Sequence, residues 1–326
     1  MSHRKPVKAL LCVALAALAQ PALAQNYPNK GIRFIVGFAP GGPNDILARI
    51  VGQKMSDNMG VTVVVDNRPG ADSMIGTQMA ARSAPDGYTI SMVSAGVTIH
   101  PNVYTNIPYD VVKDFSHISV LASGAYIAVV NPSLPVKTLK EFIAHAQASP
   151  GKLNYATSGV GGSLHLATEL FKTMAKLDIN HIAYKGGVPA ANDLLSGQVQ
   201  FMIGAMSVAT AHVRSGKLRA LAVTSPARWP ALPDVPTFAE AGVPGYEATG
   251  WYGVVGPANI PRPIVTRINQ EIVKAISVPD VRQQIAKFDL SPVGSSPEEM
   301  SSHINAELVK WANVARSARL ERGALN

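Results

Sequence analysis

The stretch Phe38-Ala-Pro-Gly-Gly-Pro-Asn-Asp45 joins an apolar run, Ile32–Phe38, to an amphipathic segment, Asn44–Asn58. The first has the length of a buried strand and the second places its apolar residues on one helical face, which favours an α/β fold. In such folds ligands bind at the carboxyl ends of strands, and free N–H groups at a helix start bind anions. The predicted ligand contacts in this first turn are Phe38, Ala39, Gly41, Gly42 and Asn44.

A second stretch, Thr157-Ser-Gly-Val-Gly-Gly-Ser-Leu-His165, repeats this order of strand, glycines, hydroxyls and helix. Two such turns, one in each half of the chain, suit a clamp for a small anion. Each turn alone is equally explained as a tight loop that requires positive φ angles, and Asp45 as a cap of its own helix. The predicted contacts in this second turn are Thr157, Ser158, Gly159, Gly161, Gly162, Ser163 and His165.

Apolar runs of strand length alternate with amphipathic helical segments along most of the chain, which predicts largely parallel sheets. Among these segments, Asp72–Arg82 reads as a helix with Asp72 in its first turn, and Tyr126–Asn131 reads as a long strand. We expect two lobes, because about 300 residues exceed the size of one core. Lobe 1 comprises residues 25–124 and 253–326, and lobe 2 comprises residues 125–252. The two crossings between the lobes predict a hinge.

Further residues are expected at the rim of the same cleft. Ser94-Ala-Gly-Val-Thr98 reads as a hydroxyl-bearing loop after the third strand, and Tyr184-Lys-Gly-Gly187 ends a strand before a helix. Ser94, Thr98, Tyr184 and Gly186 are therefore predicted contacts. Trp251 and Tyr252 suit either a wall of the cleft or packing at the hinge.

The sequence gives little support for metal binding, nucleotide binding or serine hydrolysis. His165 and Glu169 lie four residues apart but lack a third metal ligand, so no metal site is predicted. Neither turn matches a nucleotide motif, and we expect no cofactor. A secreted serine hydrolase that uses Ser158 or Ser163 with His165 remains one alternative to a transport receptor, although the chain contains no Gly-x-Ser-x-Gly motif. The other alternative is a solute receptor that passes its closed state to a signalling partner.

The N-terminal segment has the pattern of a signal peptide cleaved after Ala24. Arg4, Lys5 and Lys8 precede a short apolar run, and an Ala-x-Ala site ends at Ala24. The single cysteine, Cys12, lies inside this segment, so the mature chain of 302 residues has no thiol and no disulfide. These features predict a soluble protein exported to the periplasm.

The charge of the chain argues against a nucleic-acid partner. Three of the 29 basic residues and none of the 21 acidic ones lie in the signal segment, which leaves a formal charge of +5 on the mature chain. The basic residues are interspersed, so the charge favours no more than anionic solutes.

With these residues in view, the chain resembles the Bug family, the extracytoplasmic solute receptors of tripartite tricarboxylate transporters. The resemblance covers essentially all of the mature chain. The segments that carry it are Phe38–Asp45, Asp66-Asn-Arg-Pro-Gly-Ala71, Ala84-Pro-Asp-Gly-Tyr88, Pro108-Tyr-Asp110, Lys113-Asp-Phe115, Pro150-Gly-Lys-Leu-Asn-Tyr155, His181-Ile-Ala-Tyr-Lys-Gly-Gly187, Gly216-Lys-Leu-Arg-Ala-Leu-Ala222 and Leu232-Pro-Asp-Val-Pro-Thr237.

The resemblance implies a two-lobe, type II periplasmic-binding-protein-like fold and a receptor that passes a small carboxylate to small and large membrane subunits. We expect the receptor to be a monomer. Two positions depart from the family pattern. Pro43 removes an N–H donor from the first turn, and Gly204 stands where many members carry an aspartate that meets a ligand ammonium. We therefore expect a dicarboxylate or aromatic carboxylate, held more firmly by the second turn, with an uncharged group near Gly204.

Overall fold

The N-terminal third of the chain alternates parallel strands with helices. The computed structural model describes residues 27–184 and 186–317, so the predicted signal peptide, Lys185 and residues 318–326 lie outside it. Its first elements are β1 (Ile32–Val36), α1 (Pro43–Met59), β2 (Val63–Asn67), α2 (Met74–Ala81), β3 (Thr89–Ser94) and α3 (Gly96–Val103). Strand β1 pairs in parallel with both β2 and β3.

Helix α1 forms where the sequence predicts it. Leu47, Val51 and Met55 recur every fourth residue and are fully buried, which gives the helix an apolar face against the sheet. Pro43 opens the helix at a position where a missing N–H costs nothing. Gly60 ends it in the left-handed conformation, with its N–H bonded to the carbonyl of Ser56.

Two long antiparallel strands connect the halves of the sheet. They are β4 (Phe115–Val130) and β9 (Thr249–Pro257). Residues 115–125 of β4 pair with β9, whereas residues 126–130 pair with β7 (Phe201–Ala205) and β8 (Arg219–Val223). Strand β4 therefore belongs to both halves.

The remaining elements build the second half and close the first. They are α4 (Leu139–Ala148), β5 (Asn154–Thr157), α5 (Ser163–Ala175), β6 (Asn180–Ala183), α6 (Gly187–Leu195), α7 (Met206–Arg214), α8 (Arg262–Ser277), α9 (Pro279–Ala286), β10 (Ser291–Pro292) and α10 (Pro297–Ser317). The main strand order is β2-β1-β3-β9-β4-β7-β5-β6. Ile268 and Ile272 of α8 share a core with Phe34 and Leu47, while Phe142, Phe171 and Phe201 pack together in the second half.

The structure differs from the sequence-based elements at three places. Residues 94–98 were expected as a loop, but α3 begins at Gly96. The long strand expected from Tyr126 begins eleven residues earlier, at Phe115. Asp72 was expected in the first turn of a helix, but α2 begins only at Met74, and Asp72 has a φ of +47°.

Candidate functional site

A cleft of about 680 Å³ lies between the two halves of the sheet. Its walls are loops at the carboxyl ends of β1, β2 and β3 on one side and of β5, β6 and β7 on the other, with residues of β4 and β9 between them. Main-chain-rich turns and aromatic rings thus surround one space. The lining residues are Gly37, Phe38, Ala39, Gly42, Pro43, Asn44, Pro69, Gly70, Ala71, Asp72, Ser73, Met74, Ser94, Ala95, Gly96, Tyr104, Tyr126, Ser158, Gly159, Val160, Gly162, Ser163, Leu164, Gly186, Gly187, Ala205, Ser207, Val208, Trp251 and Tyr252.

The first turn brings the start of α1 to the cleft. Gly42 is the N-cap residue of α1, and no side chain caps this helix end, so its first N–H groups face the cleft without an internal partner. Asn44 lies in the first turn of α1, is 7% exposed, and its Oδ1 has no hydrogen-bond partner among the described residues. Of the five contacts predicted here, Phe38, Ala39, Gly42 and Asn44 line the cleft.

Gly41 is the exception in the first turn, because its N–H is already used. It donates to Asp45 Oδ2 at 2.9 Å, and Asn67 and Arg49 donate to the same carboxylate. Burial opposes ionisation of Asp45, but these three donors together hold its pKa below the usual value. Asp45 therefore fixes the conformation of the turn from behind rather than capping the N-terminal N–H groups of α1.

The second turn brings the start of α5 to the opposite wall. Gly162 is the N-cap residue of α5, again with no side-chain cap, and Ser158, Gly159, Gly162 and Ser163 line the cleft. Gly161 has a φ of +75° and donates its N–H to His165 Nδ1 at 3.0 Å. The Oγ1 of Thr157 donates to the carbonyl of Gly159 at 2.7 Å.

Thr157, Gly161 and His165 therefore support the second turn from outside the cleft lining. His165 is 5% exposed, and its ring stacks on His181 with 4.0 Å between centroids. Burial lowers the pKa of His165 and, with the nearby His165 ring, lowers that of His181 to about 4. Near neutral pH both rings are uncharged, which suits His165 as the acceptor of the Gly161 N–H.

Of the remaining predicted contacts, two line the cleft and three do not. Ser94 and Gly186 line the cleft. Thr98 lies inside α3, is fully buried, and donates to the carbonyl of Ala95 at 2.8 Å. Tyr184 points its hydroxyl to Asp193 at 2.7 Å, and Gly204 is replaced in the lining by the next residue, Ala205.

The two aromatic residues on the return strand serve both roles that the sequence left open. Trp251 and Tyr252 line the cleft, and Trp251 is also 2% exposed and packed edge-on against His303. The indole N–H of Trp251 has no partner among the described residues. Tyr126 lies beside them and donates its hydroxyl to Ser163 Oγ at 3.0 Å, which ties the floor of the cleft to the second turn.

Sequence reasoning missed Asp72 and Tyr104. The Oδ2 of Asp72 lies 2.9 Å from Nε2 of the fully buried His100. Tyr104 donates its hydroxyl to the carbonyl of Val160 at 3.1 Å, which joins the two walls directly. The signal for Asp72 was an acidic residue in the turn after β2, beside Pro69-Gly70, but periodicity assigned it to the following helix.

The described residues contain no group of three His, Cys, Asp or Glu side chains placed to hold a metal ion. Over residues 27–184 and 186–317, no helix is long and apolar enough to cross a membrane. The hydrogen bonds of this part of the chain also do not connect Ser158 or Ser163 to His165; Ser163 Oγ is bonded to Tyr126 and His165 Nδ1 to Gly161.

A cleft built from two helix N-termini on opposite walls fits a receptor for small anions, and comparison with known proteins identifies the family. The family model of the tripartite tricarboxylate transporter family receptor matches residues 47–320. The chain belongs to this receptor family. The family resemblance seen in the sequence is thereby confirmed.

Relatives of this receptor share almost its whole length. Protein BugT of Bordetella pertussis is 38% identical over 306 residues, which cover 93% of this chain and 94% of BugT. The structure of Rpa4515 from R. palustris with adipate is 34% identical, with a TM-score of 0.84 over 91% of this chain and 99% of that one. The periplasmic binding protein BugD is 31% identical, with a TM-score of 0.82 over 91% of this chain and all of BugD. The predicted two-lobe α/β fold of a periplasmic binding protein is confirmed.

Proposed function

We propose that this receptor captures a small carboxylate in the cleft between its lobes and delivers it to a membrane transporter. The observation that carries the proposal is the convergence of two uncapped helix N-termini, at Gly42 and Gly162, on one cleft. Free N–H groups and the positive ends of helix dipoles favour a carboxylate there. The adipate bound by the related Rpa4515 supports the same ligand class.

Main-chain N–H donors leave the choice among different carboxylates to other parts of the cleft. Backbone N–H groups recognise a carboxylate whatever the rest of the molecule is, so the remaining walls must select the ligand. Here those walls include the rings of Tyr104, Tyr126 and Tyr252. They suit an aliphatic or aromatic body between polar ends.

The two crossings near Gly124 and Gly253 serve as the hinge in this proposal. Lobe 1 comprises residues 25–124 and 253–326 and lobe 2 residues 125–252. The switch of β4 from pairing with β9 to pairing with β7 and β8 after residue 125 supports this boundary. The shared core of α8, β1 and α1 supports the return of the chain to lobe 1.

The setting of the receptor completes the proposal. After removal of residues 1–24 the chain acts in the periplasm as a monomer, and its partners are the small and large membrane subunits of a tripartite transporter. It acts without catalysing a reaction, because the buried His165 accepts a backbone N–H where a serine hydrolase would need it beside the nucleophile.

A thermal-shift screen of the mature protein tests the ligand class. The panel contains aliphatic, hydroxy, amino and aromatic carboxylates, each paired with the methyl ester of all its carboxyl groups as the matched control without a carboxylate. A ligand at a hundredfold excess over Kd stabilises the folded protein by about 2.7 kcal/mol, which is a shift of several degrees for a chain of this size.

We expect at least one acid to raise Tm and its ester to leave Tm unchanged. A panel in which no acid shifts Tm, or in which esters act as well as acids, would show that the ligand class is wrong. Steady hydrolysis of the esters by the wild type that disappears in Ser163→Ala would instead establish the hydrolase.

A further inference from the structure

The loop between β2 and α2 holds an unusual backbone. Ala71, Asp72 and Ser73 are three consecutive residues other than glycine with φ angles of +47°, +47° and +73°. Side chains with a Cβ avoid this region, and such strain persists only where the surroundings enforce it. The loop packs closely on the end of β1, since a Cβ on Gly37 would lie 2.6 Å from the Cβ of Ser73.

This backbone directs the Asp72 carboxylate into the cleft. Its side chain is 32% exposed and its Oδ2 lies 2.9 Å from His100 Nε2. His100 is in turn fixed by Tyr109, whose hydroxyl lies 2.9 Å from Nδ1. The Oδ1 of Asp72 makes no hydrogen bond to any described residue, so one carboxylate oxygen is oriented and available.

Asp72 reaches across to the start of α5 on the opposite wall. A Cβ on Gly162 would lie 3.5 Å from Asp72 Oδ2 and 3.9 Å from Oδ1, and a Cβ on Gly96, the first residue of α3, 3.3 Å from Oδ2. The carboxylate therefore lies at two helix N-termini, where a negative charge is stabilised. The protein itself supplies an anion at the second turn.

The cleft is consequently asymmetric in charge. Asp72 is the one charged side chain among the described residues that line it. A ligand carboxylate at the second turn would meet the like charge of Asp72, and close pairs of carboxylates repel. The first turn offers the start of α1 and Asn44, whose Oδ1 has no hydrogen-bond partner among the described residues. Rotation of this amide would present its NH₂ group instead.

We propose that Asp72 determines specificity: the ligand carboxylate binds at the first turn, and Asp72 accepts a hydrogen bond from a hydroxyl, amide or ammonium group at the other end. The inference rests on the proposed carboxylate-binding function and narrows it. It reverses the expectation from sequence that the second turn holds the anion more firmly. The ligand class becomes a monocarboxylate with a terminal hydrogen-bond donor, and dicarboxylates are disfavoured.

Titration calorimetry with matched probes tests this assignment. The probes are four- to six-carbon dicarboxylates, their half-amides and the corresponding ω-hydroxy acids, so that the chain length is constant within each set. We expect wild type to bind the half-amide or hydroxy acid at least about tenfold more tightly than the dicarboxylate, which corresponds to about 1.4 kcal/mol.

Two variants remove the charge without opposing the backbone. Asparagine and glycine both tolerate positive φ, so Asp72→Asn and Asp72→Gly should fold. In both variants the ratio of the affinity for the half-amide or hydroxy acid to the affinity for the dicarboxylate should fall at least about tenfold. Asp57→Asn is the control, since Asp57 is exposed on α1 and, among the described residues, is hydrogen-bonded to Gln53 alone. It should reproduce the wild-type preference.

The possible results distinguish an error in the role of Asp72 from an error in the proposed carboxylate binding. A wild type that binds the dicarboxylate as tightly as the half-amide, or a preference unchanged in both Asp72 variants, overturns the role of Asp72 and leaves carboxylate binding intact. Failure of every probe to bind wild type and variants overturns this inference, and the carboxylate function falls with it only if no acid of the thermal-shift panel raises Tm.

Discussion

A methyl group added at Gly161 should separate closure of the cleft from folding of the chain. A Cβ at Gly161 would lie 2.7 Å from the hydroxyl oxygen of Tyr104 and 3.0 Å from its Cζ. Tyr104 stands on the opposite wall, so this overlap exists only when the walls are together. The φ of +75° at Gly161 adds a second cost that is present in any folded form.

The two costs of Gly161→Ala have different magnitudes and different assays. The left-handed backbone costs an alanine about 1–2 kcal/mol of folding free energy, which lowers Tm by about 2–8 °C for a chain of this size. Overpacking against Tyr104 costs about 1–3 kcal/mol and acts on closure. It should weaken carboxylate binding by about 5- to 150-fold in titration calorimetry.

Gly216→Ala is the matched control for this prediction. Gly216 has a φ of +71°, but a Cβ there would have no atom within 4 Å. Its Tm should fall by as much as that of Gly161→Ala, and its affinity for the carboxylate should equal that of the wild type. Equal affinities in the two variants would refute the reasoning that the second turn closes against Tyr104.

Two further predictions concern the groups that support the turns. Asp45→Ala should lower the free energy of unfolding by about 2–3 kcal/mol in urea titrations at pH 7. The reason is that it removes the acceptor of three hydrogen bonds, one of them from Arg49. A decrease no larger than that of Asp57→Ala would contradict the role of Asp45 in fixing the first turn. The lowered pKa of His181, about 4 against an ordinary 6.5, means that the unfolded chain binds this proton first. Stability should therefore fall as pH falls from 6.5 to 4, by at most about 3 kcal/mol from this residue, and level off below. His181→Asn should flatten the dependence; identical pH profiles for wild type and His181→Asn would contradict the assignment.

The regular part of the fold follows from local pattern. Helix α1 was predicted because its buried residues recur at helical spacing, and its ends carry Pro43 and a left-handed Gly60. Helix α3 was not, because Gly96 and the internal Pro101 are poor helix formers and only tertiary packing makes the segment helical. The first half of β4 was missed because Ser116, His117 and Ser119 interrupt its apolar run.

In the candidate site, too, the features set by local sequence could be predicted and those set by tertiary contacts could not. The glycine-rich turns could be placed from sequence because strand, glycines and helix follow each other in order. Which of their N–H groups remain free could not, since Asp45 and His165 engage Gly41 and Gly161 through three-dimensional contacts. Asp72 could not be placed either, because its direction depends on a left-handed backbone that no periodicity encodes.

The placement of the ligand in the cleft, between the two turns and close to both, is common to the proposed function and to the role of Asp72. Its most direct test is an amide nitrogen–proton NMR spectrum of the ¹⁵N-labelled mature protein, titrated with the acid that gives the largest thermal shift. We predict that the largest changes occur together at the N–H signals of Gly42 and Asn44 in the first turn and Gly162 and Ser163 in the second. Saturating changes confined to one turn, or located elsewhere with both turns unaffected, would contradict this placement.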